Sequence, residues 1–431
     1  MSTSAPPQET AAAPRIPCRP GKKPRLVVLG TGFAALSMLD KLHKEAFDIT
    51  VVSPRNHFLF TPLLPSTTVG SIEFRSIIEP IRSAVRFKNF TFFQAFVTAI
   101  DTSGKRLSCE GAMDGARFTI DYDVLVVAVG AVSRTFNIPG VREHAHFLKE
   151  LNHARAIRQR IIECFERAAH PGLHEEEDRR LLHFVVVGGG PTGVEFAAEL
   201  HDFLTQDLRK WYPREAAITR ITVVEASSNI LNAFHEELGS YAMKRFHRNR
   251  IDVRTGAVVK EVTPTSLKLT DGSEIPCGLV VWSTGIEATP LVQSLPFPKD
   301  KGQRLHADPY FCVDESAAIY AIGDCATRIG DELPATAQVA MQEGRYLAYV
   351  LNRKVEGKPP KVFKYKHLGM MAYIGNRRAL ADLPNWKGRG FSAWVFWRSV
   401  YLTKLVSLKN KMTVAFDWFK ALLFGRDVSS F

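Results

Sequence analysis

Two stretches of this chain place glycines where backbone amides could meet a phosphate. The first is Gly30-Thr31-Gly32-Phe33-Ala34-Ala35 and the second is Gly188-Gly189-Gly190-Pro191-Thr192-Gly193. Glycines at a strand-to-helix turn let N–H groups reach a pyrophosphate resting on the positive end of the helix, where a side chain would obstruct the contact. Glycine spacing alone is weak evidence, so the context decides. Leu26-Val27-Val28-Leu29 leads into the first turn and the periodic Leu36, Leu39 and Leu42 lead out of it. His183 to Val187 leads into the second, and Val194, Phe196, Ala197 and Leu200 follow. Both read as strand, glycine turn, helix.

The residue closing the second strand separates the two units. Ile221 to Val224 ends in Glu225, a carboxylate able to accept hydrogen bonds from a ribose and to repel a 2′-phosphate, which predicts NADH over NADPH. The expected NADH set is Gly188, Gly190, Pro191, Thr192, Gly193, Glu195 and Glu225, with Gly285 after the apolar run Leu279 to Ser283. In the first unit the strand Asp48 to Val52 is followed by Ser53-Pro54-Arg55, without a carboxylate, so a different ligand or grip is expected. FAD is the natural candidate. Its expected set is Gly30, Gly32, Phe33, Ala34, Ser53, Pro54, Arg55, Gly130 and Asp324. Asp324, in a Gly-Asp turn after Ile319 to Ile322, could hydrogen-bond a ribityl chain; the plainer reading is an Asx turn.

These elements imply an α/β fold of two Rossmann-like dinucleotide-binding domains, the NADH domain inserted in the FAD domain, followed by a C-terminal amphipathic helical segment. The expected division is 25–150 with 291–350 for FAD, 151–290 for NADH, and 351–431 for membrane association. Residues 1–24, rich in Ser, Thr, Ala and Pro, read as a disordered tail or a transit peptide.

Composition narrows the classes further. The 431 residues are 45 % hydrophobic and 23 % charged, ordinary for a globular protein of two or three domains. Of the net charge of +12, all is matched by the stretch from Asn352 onward, which holds 16 Lys+Arg against 4 Asp+Glu. Six cysteines (Cys18, Cys109, Cys164, Cys277, Cys312, Cys325) form no CxxC or CxxxxC pair, so neither a disulfide framework nor a metal site is expected. The longest uncharged run, Asn56 to Ile72, is interrupted by Pro62, Pro65 and Gly70, and no transmembrane helix is expected.

At these motifs the sequence resembles the two-dinucleotide-binding-domain flavoproteins, and among them the type II NADH dehydrogenases, over nearly everything from Arg25 onward. The resemblance is carried by VVLGTGFAA, SPRNHFLFTPLLPSTTVG at Ser53 to Gly70, VVVGGGPTGVEFAAEL at Val185 to Leu200, IYAIGDCA at Ile319 to Ala326, and AQVAMQEG at Ala337 to Gly344. It implies that Gln338 and Gln342 line a quinone pocket beside the flavin ring, and that Thr61, Ala337 and Gln338 join the FAD set. It implies also that Glu195 lies near nicotinamide and flavin, orienting the substrate or delivering protons. Gln338 and Gln342 share a helix face, which read without the resemblance is simply a polar face. The stretch His367 to Gly375 matches the family only in its last residues. The missing CxxxxC separates this chain from disulfide-relay relatives, and no EF-hand loop interrupts the nucleotide domain.

Plotted at helical pitch, Trp394, Trp397, Tyr401, Leu405 and Leu408 share a face edged by Arg398, Lys404 and Lys409. A second face holds Met412, Phe416, Phe419, Leu422 and Leu423. Basic edges beside apolar faces describe helices lying in a membrane interface; the alternative is packing on the protein's own core or in a homodimer. The gathered aromatics do not suit nucleic acid. The expectation is an NADH:quinone oxidoreductase, peripheral to the mitochondrial inner membrane, with a plastid or bacterial plasma membrane as alternatives. The rival functions are a sulfide:quinone reductase, which wants paired cysteines, and a redox-responsive interaction protein of the apoptosis-inducing-factor type.

Overall fold

The computed structural model describes residues 21–85, 90–172, 174–316 and 318–429. Most of the expected tail or transit peptide, and Cys18, lie outside them. The described chain gathers into two compact units, one drawn from the described residues of 21–58, 80–131 and 287–366, the other from those of 59–79, 132–286 and 367–429.

The first unit is built on an eight-stranded sheet in the order Cys312–Asp314, Ile319–Ala321, Val124–Val127, Arg25–Leu29, Asp48–Ser53, Thr91–Asp101, Arg106–Gly111, Arg117–Asp121. The strands from Ile319–Ala321 to Thr91–Asp101 pair in parallel and the flanking pairs are antiparallel. Val124–Val127 is buried throughout, as a parallel strand covered on both faces must be. The helix that leaves the first glycine turn, Phe33–Lys41, packs on the long helix Ala337–Val355. Ala34, Ala35, Met38 and Leu39 share one core with Ala340, Leu347, Ala348 and Leu351. Gly344 permits that approach, since a Cβ there would lie 2.1 Å from the Ala34 carbonyl oxygen. Asn352 closes the end of the shorter helix, its Nδ2 donating to Lys41 O at 3.0 Å and its Oδ1 accepting from His43 N–H at 2.8 Å.

The second unit holds an all-parallel five-stranded sheet in the order His146–Phe147, Leu279–Trp282, His183–Val187, Arg220–Val224, Ile251–Arg254. The C-terminal part adds an antiparallel sheet of Met370–Tyr373, Ala379–Leu383 and Trp386–Gly390, then helices Phe391–Lys404 and Leu408–Phe424. Residues from 367 onward therefore group with the second glycine turn, while the long helix crosses the expected boundary at 350 and stays with the first.

The strip Leu59–Glu79 joins the second unit through buried polar bonds. Ser66 and Ser71 hydroxyls donate to the two oxygens of Glu199 at 2.7 and 2.6 Å. Asn410 Nδ2 donates to the carbonyls of Ser76 and Ile78 at 3.0 and 2.9 Å, and Glu73 N–H donates to Asp417 at 3.0 Å. Arg426 reaches Ser71 through Nε at 2.8 Å and Asp207 through Nη1 at 2.8 Å.

The two predicted membrane faces part company here. Trp397 and Leu405 are buried, and Trp397 stacks near Tyr373, Tyr401 and Trp418, so the middle of the first face packs inward and is not the lipid face expected of it, while Trp394 at its start is half buried. Leu408 belongs to the next helix, because the first ends at Lys404. The physical reason is that a periodic apolar stripe reports that something covers it, not what does. The second face differs: Leu408, Met412, Phe416, Phe419, Leu422 and Leu423 are each more than half exposed. No helix among the described residues is long and apolar enough to cross a membrane. Among them no group of His, Cys, Asp and Glu could hold a metal ion.

Candidate dinucleotide sites

In each glycine turn the chain itself demands the first glycine and leaves the second to something else. Gly30 has φ +106° and a Cβ there would fall 2.3 Å from Ala128 O; Gly188 has φ +112° and a Cβ would crowd Ser283 and Thr284 at 3.0 Å. Gly32 and Gly190 have ordinary φ values and stand at the N-caps of the helices Phe33–Lys41 and Pro191–Phe203. A Cβ on either would meet nothing within 4 Å. Neither backbone strain nor packing explains those two glycines, whereas a pyrophosphate seated on the helix N-terminus does. Gly193 completes the second fingerprint, with a Cβ only 2.0 Å from Gly188 O, so helix and strand touch there. The residues present fit one dinucleotide in each unit.

The turns are braced differently. In the second unit Gly189 N–H donates to Glu225 Oε2 at 2.6 Å, while Glu225 Oε1 accepts from Ser227 N–H at 2.8 Å and Ser227 Oγ–H at 2.6 Å. Burial alone would raise this carboxyl, but the bonds from Ser227 and Gly189 outweigh it and hold Glu225 below the usual carboxylate range. In the first unit hydroxyls take that place. The Thr31 and Ser53 hydroxyls lie 3.2 Å apart, both buried, Thr31 Oγ1 lies 3.0 Å from His57 O, and Ser53 Oγ accepts from Arg55 N–H at 3.2 Å. Thr31, the middle residue of the turn, was not singled out from sequence, although a hydroxyl between two fingerprint glycines is the available signal. Phe33 and Ala34 open the helix, and Pro54 follows Ser53 directly.

Asp324 sits in the 3₁₀ turn Gly323–Cys325. That turn is fixed by a residue sequence reasoning passed over. Glu343, buried on the long helix, accepts Gly323 N–H through Oε2 at 2.6 Å, and burial, helped by the Asp324 charge, pushes its carboxyl up to about 8. Ala337 and Gln338 form the first turn of the same helix, which Thr336 caps by accepting Val339 N–H at 3.4 Å. Gln342 Nε2 donates to Lys366 O at 2.9 Å and its Oε1 accepts Lys366 N–H at 3.0 Å, so much of this amide pins the chain after the helix. Gly130 has φ +71° with open space above it. Thr61 opens a 3₁₀ turn and groups with the second unit.

Pro191 and Thr192 form the first turn of the second glycine-turn helix, and Gly285, φ +68°, lies against Phe136. Glu195, one turn further on, is buried. Its Oε1 accepts Tyr373 N–H at 3.0 Å and Trp397 Nε1–H at 3.3 Å. Burial pushes its carboxyl up to about 8 against those donors, and neighbouring Glu199 adds to the rise. The residues about Tyr373, poorly diagnostic in sequence, thus grip this helix, and Tyr373 Oη and Asn376 N–H both donate to Asp202.

Two family models match the chain. The pyridine nucleotide-disulphide oxidoreductase model matches residues 24–344 and the NDH2 C-terminal domain matches 367–427. A probable NADH dehydrogenase of Dictyostelium discoideum is 45 % identical over 94 % of this chain and 91 % of its own. The chain belongs to the type II NADH dehydrogenases. External NADH-ubiquinone oxidoreductase 2, a mitochondrial protein of Saccharomyces cerevisiae, is 40 % identical over 98 % of this chain and 84 % of its own. The solved NDH2 of Plasmodium falciparum in complex with NADH superposes at TM-score 0.90, with 27 % identity, over 95 % of this chain and all of that one. A sulfide:quinone oxidoreductase of Aquifex aeolicus superposes at 0.70 with 19 % identity over 94 % and 96 % of the two chains, a likeness of fold alone.

Proposed function

We propose that this type II dehydrogenase oxidises NADH and reduces a membrane quinone by two electrons, with FAD as its resident cofactor, without pumping protons. The observation that carries the reading is the pair of cradles, each with a second glycine that only a ligand explains, one braced by a carboxylate and the other by hydroxyls. FAD, when bound, supplies the two-electron carrier between nicotinamide and quinone. The backbone of Gly30 to Ala34 holds its pyrophosphate, and the Gly323–Cys325 turn, fixed by Glu343, presents Asp324 to the ribityl chain. Gly190 to Gly193 hold the NADH pyrophosphate and Glu225 takes the ribose hydroxyls. Gln338 offers an amide to a quinone carbonyl, with Gln342 holding the adjoining chain in place. Glu195 carries a proton at neutral pH.

The exposed apolar face of Leu408–Phe424 supports docking on a bilayer, where a lipid-soluble quinone is found. The mitochondrial relatives support the inner membrane as the place. The same exposed face supports a homodimer as the alternative way of covering it.

Anaerobic addition of NADH to the purified holoprotein is expected to bleach the flavin absorbance, and a short-chain ubiquinone to restore it promptly. Bleaching without restoration would sink the quinone reading and favour a signalling flavoprotein. The sulfide-oxidising alternative is disfavoured by Cys325. Its thiol is fully buried, lies 3.4 Å from Val127 O and 3.3 Å from Ile322 O, and is pushed up to about 12 by burial. Such a thiol is no nucleophile at neutral pH.

Glu225→Gln is expected to cost about ten-fold in kcat/KM for NADH while raising NADPH turnover, because hydrogen bonds to a charged partner contribute about 1.5–3 kcal/mol. Steady-state kinetics with both nucleotides at pH 7 would check it, and an unchanged preference would refute the role of Glu225.

A further inference from the structure

Arg398 stands out among the partly buried cations. Its guanidinium carbon lies 4.2 Å from the Trp394 ring centre and 4.5 Å from that of Trp418, between two indoles of two different helices. Its Nε is enclosed with no hydrogen-bond partner, and both indole rings lie within cation–π range of the guanidinium. The charges around it are mixed: Tyr373 and Glu199 favour the cation, while Arg377 and Arg426 oppose it. Burial lowers its pKa to about 10. Stacking on indoles offsets part of the cost of desolvation but satisfies none of the five N–H donors. A guanidinium so placed lacks an anion.

The surroundings indicate which anion. On its helix Arg398 falls in the row Phe391, Val395, Arg398, Leu402, whose first two members are exposed. Across the gap, Trp418 lies one turn from exposed Ala415 and Leu422, at the edge of the apolar face of Leu408–Phe424. Lys404 and Lys409 are exposed near the junction of the two helices. A cation between aromatic rings, at the seam of two apolar rows, matches the depth of lipid phosphates, where Trp collects. The planar guanidinium fork matches two oxygens of a phosphodiester, which an ammonium cannot do.

We propose that Arg398, clamped between Trp394 and Trp418, binds the phosphodiester of an anionic phospholipid and so seats the C-terminal helices on the bilayer. The site rests on the membrane-docking reading given above.

The test is flotation of the full holoprotein with phosphatidylcholine vesicles, with and without phosphatidylglycerol. Arg398→Gln is expected to lose about ten-fold in partition onto the phosphatidylglycerol vesicles, and Arg398→Lys most of that, because charge alone does not fill the site. Lys409→Gln serves as the measure of a general surface charge, worth about five-fold or less. An Arg398→Lys variant that binds as wild type, or an Arg398→Gln loss no larger than that of Lys409→Gln, overturns the site while docking stands. Wild-type protein that floats with neither vesicle overturns the docking reading itself. Inorganic phosphate at constant ionic strength is expected not to displace the protein; displacement would make this a free-phosphate site and overturn the lipid assignment. Thermal unfolding of each variant, within a few degrees of wild type, secures the comparison.

Discussion

Gly190→Ala is expected to leave the fold about as stable as wild type and yet to weaken NADH binding by at least about ten-fold. The added methyl meets no protein atom within 4 Å, and the residue's φ of −72° suits alanine. Glycine and alanine differ there only by the small preference of an N-cap position, within about 1 kcal/mol. The methyl would instead occupy the space over the N-terminus of Pro191–Phe203, where a pyrophosphate must approach amides to within hydrogen-bond distance. Losing one or two bonds to a charged group, at about 1.5–3 kcal/mol each, gives the stated factor. Flavin content should not change, since Gly190 belongs to the other unit. Melting temperature, flavin absorbance and the NADH dissociation constant measured on one preparation would decide it. Unaltered NADH affinity would remove the ligand explanation for that glycine. Gly193→Ala makes the contrast, because its methyl would strike Gly188 O and damage the fold first.

Glu195→Gln is expected to keep most of the turnover at pH 7 and to lose the decline that wild type should show above about pH 8. With its carboxyl pushed up to about 8, Glu195 is largely protonated at neutral pH, and glutamine imitates that uncharged state. Above that pH the wild-type group becomes a buried anion, and activity should fall toward ten-fold per pH unit because the site works with the uncharged form. Stability follows the same sign. A carboxyl whose folded pKa lies above the ordinary 4.5 contributes stability that is fully present below 4.5 and is lost as pH rises through 8. Between those limits each such group costs about 1.4 kcal/mol per pH unit, and Glu343 titrates in the same window. Glu195→Gln should therefore flatten the fall in melting temperature from pH 5 to 8. A pH–rate profile with the same alkaline limb in wild type and Glu195→Gln would show that another group titrates.

Much of the nucleotide chemistry was legible in the sequence because it is local. A strand, a glycine turn and a helix occupy consecutive residues, and the carboxylate of Glu225 closes the adjacent strand. Backbone requirements such as the positive φ of Gly30 and Gly188 leave a mark in residue type. Even the helix Ala337–Val355 announced itself through the run AQVAMQEG. Its Glu343 escaped notice, because an acid at that position looks like one more polar residue until Gly323 is folded against it.

What only the tertiary structure decided is everything that depends on which surfaces meet. Glu195 takes its raised pKa from burial under Tyr373 and Trp397, which lie 178 and 202 residues further along the chain. Two amphipathic faces of similar pattern received opposite fates, one buried against Tyr373 and Trp418, the other left open. The strip Leu59–Glu79 left the unit its neighbours form, because Ser66 and Ser71 find their acceptor in Glu199. A sequence specifies periodicity, turn chemistry and the acid at a strand end through contacts a few residues apart. Desolvation and the partner of a buried polar group are set by distant segments, and no single stretch of chain records them.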